Sequence, residues 1–103
     1  MFVFKQTRYA AICAAPAVVL AHHGLLDDTQ ATCYPTHAIA LPLTGRVTEN
    51  VVLDQKCITG RSAAFSIDFA LGIVEVLLGR PAAQKVADAL LTKLEPLCNA
   101  TYP

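Results

Sequence analysis

Apolar positions in this chain change period several times, from short unbroken runs near the start to helical spacing further on, and those changes divide it into strands and helices. Residues 7–13 are a short apolar run ending at Cys13, the pattern of a buried strand. Residues 15 to about 23 are apolar nearly all round, with Pro16 suited to a first helical turn and Gly24 placed as the stop, which predicts a buried helix. Beyond the polar Asp27 and Asp28, residues 30–34 read as a second short strand ended by Pro35, and residues 36–44 as a loop with one helical turn. Residues 50–53 and 56–59 flank Asp54-Gln55 at the spacing of a two-residue hairpin. From 63 to 78, Phe65, Phe69, Ile73, Val76 and Leu77 recur at helical spacing, and Ile67, Ala70, Val74 and Leu78 widen the stripe, so this helix is expected to be mostly buried. Gly79 stops it and Pro81 opens the next, whose inner face is predicted to be Ala83, Val86, Leu90, Leu91 and Leu94, with Lys85, Asp88, Thr92 and Lys93 outward and Pro96 as the end. The last seven residues read as a loose tail. Strands alternating with helices indicate an α/β sandwich.

Composition adds that something must cover this chain. Small domains leave much of their surface exposed, yet 54% of these 103 residues are hydrophobic and only 16% charged. No run reaches the roughly 18 to 20 uninterrupted apolar residues of a membrane span, so the expected cover is a second copy or further chain of the same domain, not a membrane. The formal net charge is zero and no basic stripe exists, which sets nucleic-acid binding aside. The four cysteines, at 13, 33, 57 and 98, form neither a Cys-x-x-Cys pair nor metal-ligand spacing, so no metal site and no cofactor is expected.

Cys13 carries the chemistry. In Ala11-Ile12-Cys13-Ala14-Ala15-Pro16 a strand reaches a thiol and turns at once into a helix start, and small Ala14 and Ala15 leave room for a sharp bend. Amides exposed at a helix N-terminus lower a cysteine pKa from about 8.5 to roughly 3.5–7.5, which makes such a thiol nucleophilic and oxidisable. Cys33 and Cys57 fall on strand-like segments and read as packing. With no resolving cysteine apparent, Cys13 is expected to climb to the sulfinic state under mild peroxide.

The words around this cysteine, Ala10 through Ala21, then Gly24-Leu25-Leu26 and Ala31-Thr32-Cys33-Tyr34-Pro35, resemble the ThiJ/PfpI (DJ-one) family. Val47-Thr48-Glu49-Asn50 and Ile58-Thr59-Gly60-Arg61 look like that family's hairpin, and Ser66 through Glu75 like its penultimate helix. The resemblance implies the C-terminal half of a flavodoxin-like, class I glutamine amidotransferase-like three-layer α/β/α sandwich. It divides the chain into an extension at 1–6, a partial domain at 7–95 and a tail at 96–103. It also implies Cys13 as nucleophile, an oxyanion site at the N–H groups of Ala14 and Ala15, and small dicarbonyl substrates. Family roles include glyoxalase or deglycase, oxidative-stress response and chaperone. Arg61 matches a family arginine and is expected to tie its loop to the following helix. The family's carboxylate partner and its glycine-bearing loop belong to the other half and have no counterpart here, so an isolated chain is expected to be weak or inactive. His37 is the candidate proton carrier within the chain. Tyr34 stands where some relatives carry a histidine, and a phenol with pKa near 10 is a poor base at neutral pH. His22 and His23, about 100° apart on a helix, cannot clasp one metal and read as helix-end residues. Glu49, Asp68 and Glu75 read as solvated or capping.

A rival reading takes Lys5 and Arg8, the apolar stretch 9–20 and Val19-Leu20-Ala21 as a signal peptide, with Asn99-Ala100-Thr101 as a glycosylation sequon. That chain would be a small secreted, disulfide-linked, non-catalytic domain. The first reading explains more residues and places the chain in the cytoplasm, with its thiols reduced.

Overall fold

The computed structural model describes residues 8–100, so Thr7, Lys5, the 1–6 extension and the Thr101 of the sequon lie outside the described residues. Strands β1 (Tyr9–Ile12), β2 (Val51–Asp54), β3 (Cys57–Gly60) and β4 (Cys98–Asn99) form one mixed sheet in the order β1-β3-β2-β4. β1 is parallel to β3 and β4 to β2, while β2 and β3 are the antiparallel hairpin. Its turn is Gln55-Lys56, one residue later than the spacing predicts. Asp54 is drawn into the strand because its buried carboxylate accepts the Gln30 N–H at 2.7 Å, and Gln55 takes the left-handed φ of 56°.

Side-chain alternation gives the sheet two covered faces. Tyr9, Ala11 and Cys57 meet a core of Ala17, Leu20, Leu26, Ala31, Cys33 and Leu41 on one face. On the other, Ile12 and Gly60 meet Phe69 of α1 (Ser66–Leu78) so closely that a Cβ on Gly60 would stand 2.8 Å from the Phe69 ring. α2 (Arg80–Ala89) closes on α1 through Leu71, Ala83, Ala87 and Leu94. The result is an α/β sandwich with β1 at one edge of the described sheet.

Several expectations change. β1 is half-exposed instead of buried, since β3 is its only paired neighbour among the described residues. The first helix is shorter, Pro16–Ala21, wound wider than an α-helix and two-faced, with Pro16, Ala17 and Leu20 buried and Val18 and Val19 exposed. α1 buries only Leu71 and Gly72 fully and leaves Ile67, Leu77 and Leu78 exposed, because the sheet and α2 cover just part of its apolar stripe. α2 ends at Ala89, where Leu91 turns left-handed at φ 58° and the Thr92 N–H closes on Ala87 O. Its inner face is therefore Ala83 and Ala87, and Leu90 and Leu91 are exposed. The stretch read as a tail contributes β4, and the Ala100 N–H donates to Leu53 O at 2.7 Å.

Residues 30–34 are extended but not a paired strand, because side chains take the place of a ladder. Gln30 N–H donates to Asp54 Oδ2 in a part-buried bond and Thr32 N–H to Thr59 Oγ1 at 3.0 Å in a buried one, while Thr32 Oγ1 donates to Val47 O. Thr32 and Thr59 are fully buried. Thr59→Val keeps the volume but leaves a buried N–H unpaired, so it is expected to cost about 1–3 kcal/mol in urea unfolding. Thr59→Ser, which keeps the oxygen, should lose less; equal stability of Thr59→Val and the parent would contradict this role.

Candidate active site at Cys13

Cys13 sits at the junction of β1 and the Pro16–Ala21 helix with φ of +65°, a left-handed backbone in a residue other than glycine. Two hydrogen bonds hold it there. Its N–H donates to Gly60 O at the end of β3 (3.0 Å), and its carbonyl accepts the Tyr34 N–H (2.7 Å). The strand therefore cannot run on, and the chain bends with the half-buried thiol at the corner. Ala14 O accepts from both Ala17 and Val18, which starts the helix. Among the described residues the N–H groups of Ala14 and Ala15 donate to no backbone carbonyl, so two amides stand next to the thiol. A six-residue helix supplies little macrodipole, and these amides are the local electrostatic feature.

Holding a β-carbon in the left-handed region costs roughly 1–2 kcal/mol, whereas glycine pays only about 0.5–1 kcal/mol of entropy elsewhere. Cys13→Gly is thus expected to unfold at higher urea than Cys13→Ala, by up to about 1 kcal/mol, the reverse of the usual order. Finding Cys13→Ala the more stable would show that position 13 is unstrained.

The other thiols stand in less reactive surroundings. Burial pushes Cys57 from 9.0 up to about 12, and the Asp54 carboxylate adds to the shift. Burial also raises Cys33, helped by the charge of Cys13, and raises Cys98, helped by Glu49 and opposed by Arg46. All four cysteines are free thiols. Cys13 is half-exposed and, alone of the four, stands in left-handed backbone at the strand-to-helix bend.

Beside the two bonds that clamp Cys13 opens a cleft of about 440 Å³ lined by Tyr34, Pro35, Thr36, Arg61, Ser62, Ala64 and Phe65. Cys13 itself does not line it, nor does His37, which is exposed on the short helix Pro35–Ala40 with its N–H on Tyr34 O. Arg61 acts on the hairpin's approach and not on the helix, its Nη1 donating to Thr48 O at 3.0 Å and to Asn50 Oδ1 at 3.4 Å. The reason is direction: its own N–H is already bonded to Asn50 O, which turns the side chain back along that segment. His22 and His23 stack edge to face at 5.1 Å at the helix end, exposed. Glu75 pairs with Arg80 at 3.0 Å. With Glu49 and Asp68 it lines a separate cavity of about 490 Å³ between β2, α1 and residues 92–98, apart from the thiol. Among the described residues no group of three or more His, Cys, Asp or Glu side chains could hold a metal ion. No helix there is long and apolar enough to cross a membrane.

A model of the DJ-1/PfpI family matches residues 1–76. The chain belongs to that family. It is 39% identical over 83 residues to protein DJ-1 homolog B of Arabidopsis thaliana, covering 81% of this chain and 19% of that protein. It is 35% identical over 92 residues to the glutathione-independent glyoxalase DJR-1.2 of Caenorhabditis elegans, covering 87% of this chain and 45% of that one. The structure of oxidised Toxoplasma gondii DJ-1 superimposes with a TM-score of 0.80 at 38% identity, covering 88% of this chain and 50% of the other. The chain therefore spans half or less of these relatives and is a partial DJ-1/PfpI domain of flavodoxin-like α/β fold. Membership does not favour the secreted alternative, and residues 9–20, read there as a leader's apolar core, form β1, the bend and the helix in the fold.

Proposed function

We propose that this chain is the cysteine-bearing part of a DJ-1/PfpI-type protein acting on small dicarbonyls, with Cys13 as nucleophile. The observation that carries this reading is the left-handed Cys13 at a strand-to-helix bend beside two amides unused by the backbone. Its thiolate adds to an aldehyde carbon to give a hemithioacetal, and the Ala14 and Ala15 N–H groups stabilise the oxyanion. A glyoxalase among the relatives supports the substrate class. Proton transfer is assigned to a carboxylate from outside these residues, since Glu49, Asp68 and Glu75 lie at the other cavity, and His37 is the fallback within the chain. The edge position of β1 among the described residues and exposed Ile67, Leu77 and Leu78 suit cover by a second copy or by the rest of the domain. Four free thiols suit a reducing compartment such as the cytoplasm.

Methylglyoxal consumption, with Cys13→Ser as the blank and a complementing N-terminal half present, tests the assignment. Turnover that survives in Cys13→Ser would overturn it.

A further inference from the structure

We propose that the cleft beside the Cys13 clamp is an anion subsite, in which Arg61 holds the carboxylate of a small aldehyde or dicarbonyl while the carbonyl lies toward Cys13. The inference rests on the reading of Cys13 as the nucleophile and narrows its substrate class to carbonyl compounds that carry a carboxylate.

The cleft opens from the two segments that fix the bend. Tyr34, on one wall, donates its N–H to Cys13 O, and Arg61, on the other, follows Gly60, whose carbonyl accepts the Cys13 N–H. Because β1 and β3 are paired, Cys13 and Arg61 continue neighbouring strands about one strand spacing, roughly 4.8 Å, apart. A molecule of a few carbons spans that distance.

Charge decides what such a molecule carries. Among the described residues Arg61 is the one charged group lining the cleft of about 440 Å³, and Tyr34, Thr36 and Ser62 add hydroxyl groups. Arg61 is half-buried, and its guanidinium is anchored through Nη1 alone on two neutral acceptors, Thr48 O and Asn50 Oδ1. The ion pair among the described residues is Arg80 with Glu75, so no carboxylate neutralises Arg61 there, and its Nε and Nη2 keep their donors. Glu49 lies between the two anchors in sequence, yet with Asp68 and Glu75 it lines the other cavity. A half-buried cation held by neutral groups favours an incoming anion, and the flat guanidinium fork suits a carboxylate bound through both oxygens. The acidic side chains that would repel such a substrate are gathered away from the cleft.

The test compares two probes of nearly equal size, iodoacetate and iodoacetamide, on the native chain at pH 6. The Cys13 thiolate displaces iodide from the same CH2 group in each, and only iodoacetate carries a negative charge. Peptide maps give the ratio of the two rates at Cys13. In the folded chain that ratio is expected to exceed its value in denaturant by about threefold to tenfold, the smaller end of what a cleft of one sign of charge does to the local concentration of a counter-ion. Raising salt from about 0.02 M to about 0.5 M should shrink the excess as the Debye length shortens. Arg61→Gln, which retains a donor for Thr48 O, is expected to abolish the excess while iodoacetamide still labels Cys13 first. Arg61→Lys keeps the charge and should keep most of the excess. Should Arg61→Gln fail to fold, Ser62→Asp places a negative charge in the same cleft and is expected to abolish the excess too. A folded-chain ratio equal to that in denaturant, or an excess that survives both Arg61→Gln and Ser62→Asp, overturns the proposal while leaving Cys13 the reactive thiol. Iodoacetamide that labels another thiol ahead of Cys13 in the folded chain overturns both readings.

Discussion

Supplying the 103-residue chain with an N-terminal half from a close relative is expected to raise Cys13-dependent methylglyoxal consumption by about 10²- to 10⁴-fold. Two defects are repaired together. A general acid or base contributes that factor, equivalent to about 3 to 5 kcal/mol of transition-state stabilisation, and among the described residues Glu49, Asp68 and Glu75 line the other cavity. β1 is also an edge strand here, half-exposed, and Cys13 hangs from its end. A new neighbour would hold that strand and keep the Ala14 and Ala15 amides on the oxyanion, where a displacement of about 1 Å can cost around a hundredfold. Robust Cys13-dependent turnover by the chain alone would contradict this and make His37 the first residue to mutate.

Stability is expected to fall steeply above about pH 9. Burial raises Cys57 from 9.0 to about 12 and also raises Cys33, Cys98 and the Tyr9 phenol, so the fold favours their neutral forms. Groups raised in this way stabilise fully below their unfolded values and lose that contribution as pH rises through their folded ones. Urea midpoints measured from pH 7 to 11 should therefore decline, and Cys57→Ser should flatten the decline. The same shift predicts that native Cys57 alkylates roughly a thousandfold more slowly than in unfolded chain at pH 7, through its smaller thiolate fraction. A midpoint constant to pH 11 would contradict the burial argument.

Much of the architecture was legible because its signals are local. The bend at Cys13 follows from an apolar run meeting two alanines and Pro16, α1 from its helical spacing, and its end from Gly79, which takes φ 94°. What stayed hidden depends on partners distant in sequence. Nothing in Gln30-Ala31-Thr32 announces that its N–H groups go to Asp54 and Thr59 side chains, so a half-bonded segment imitates a strand. Buried threonines and an aspartate at the hairpin were the available signal, since polar groups on a core face need partners. α2 ended early because leucines at 90 and 91 continue a helical pattern that the left-handed Leu91 backbone interrupts. Cys33 read as packing, and it lies fully buried in the core with Ala17 and Leu20.

The most direct test of the central claim is the order in which thiols react in folded protein. Limited iodoacetamide at pH 6, followed by peptide mapping, should label Cys13 first, with Cys98, Cys33 and Cys57 behind it, and the four should react alike in denaturant. Cys33 or Cys98 labelled ahead of Cys13 in the folded chain would contradict the assignment of Cys13 as the reactive group.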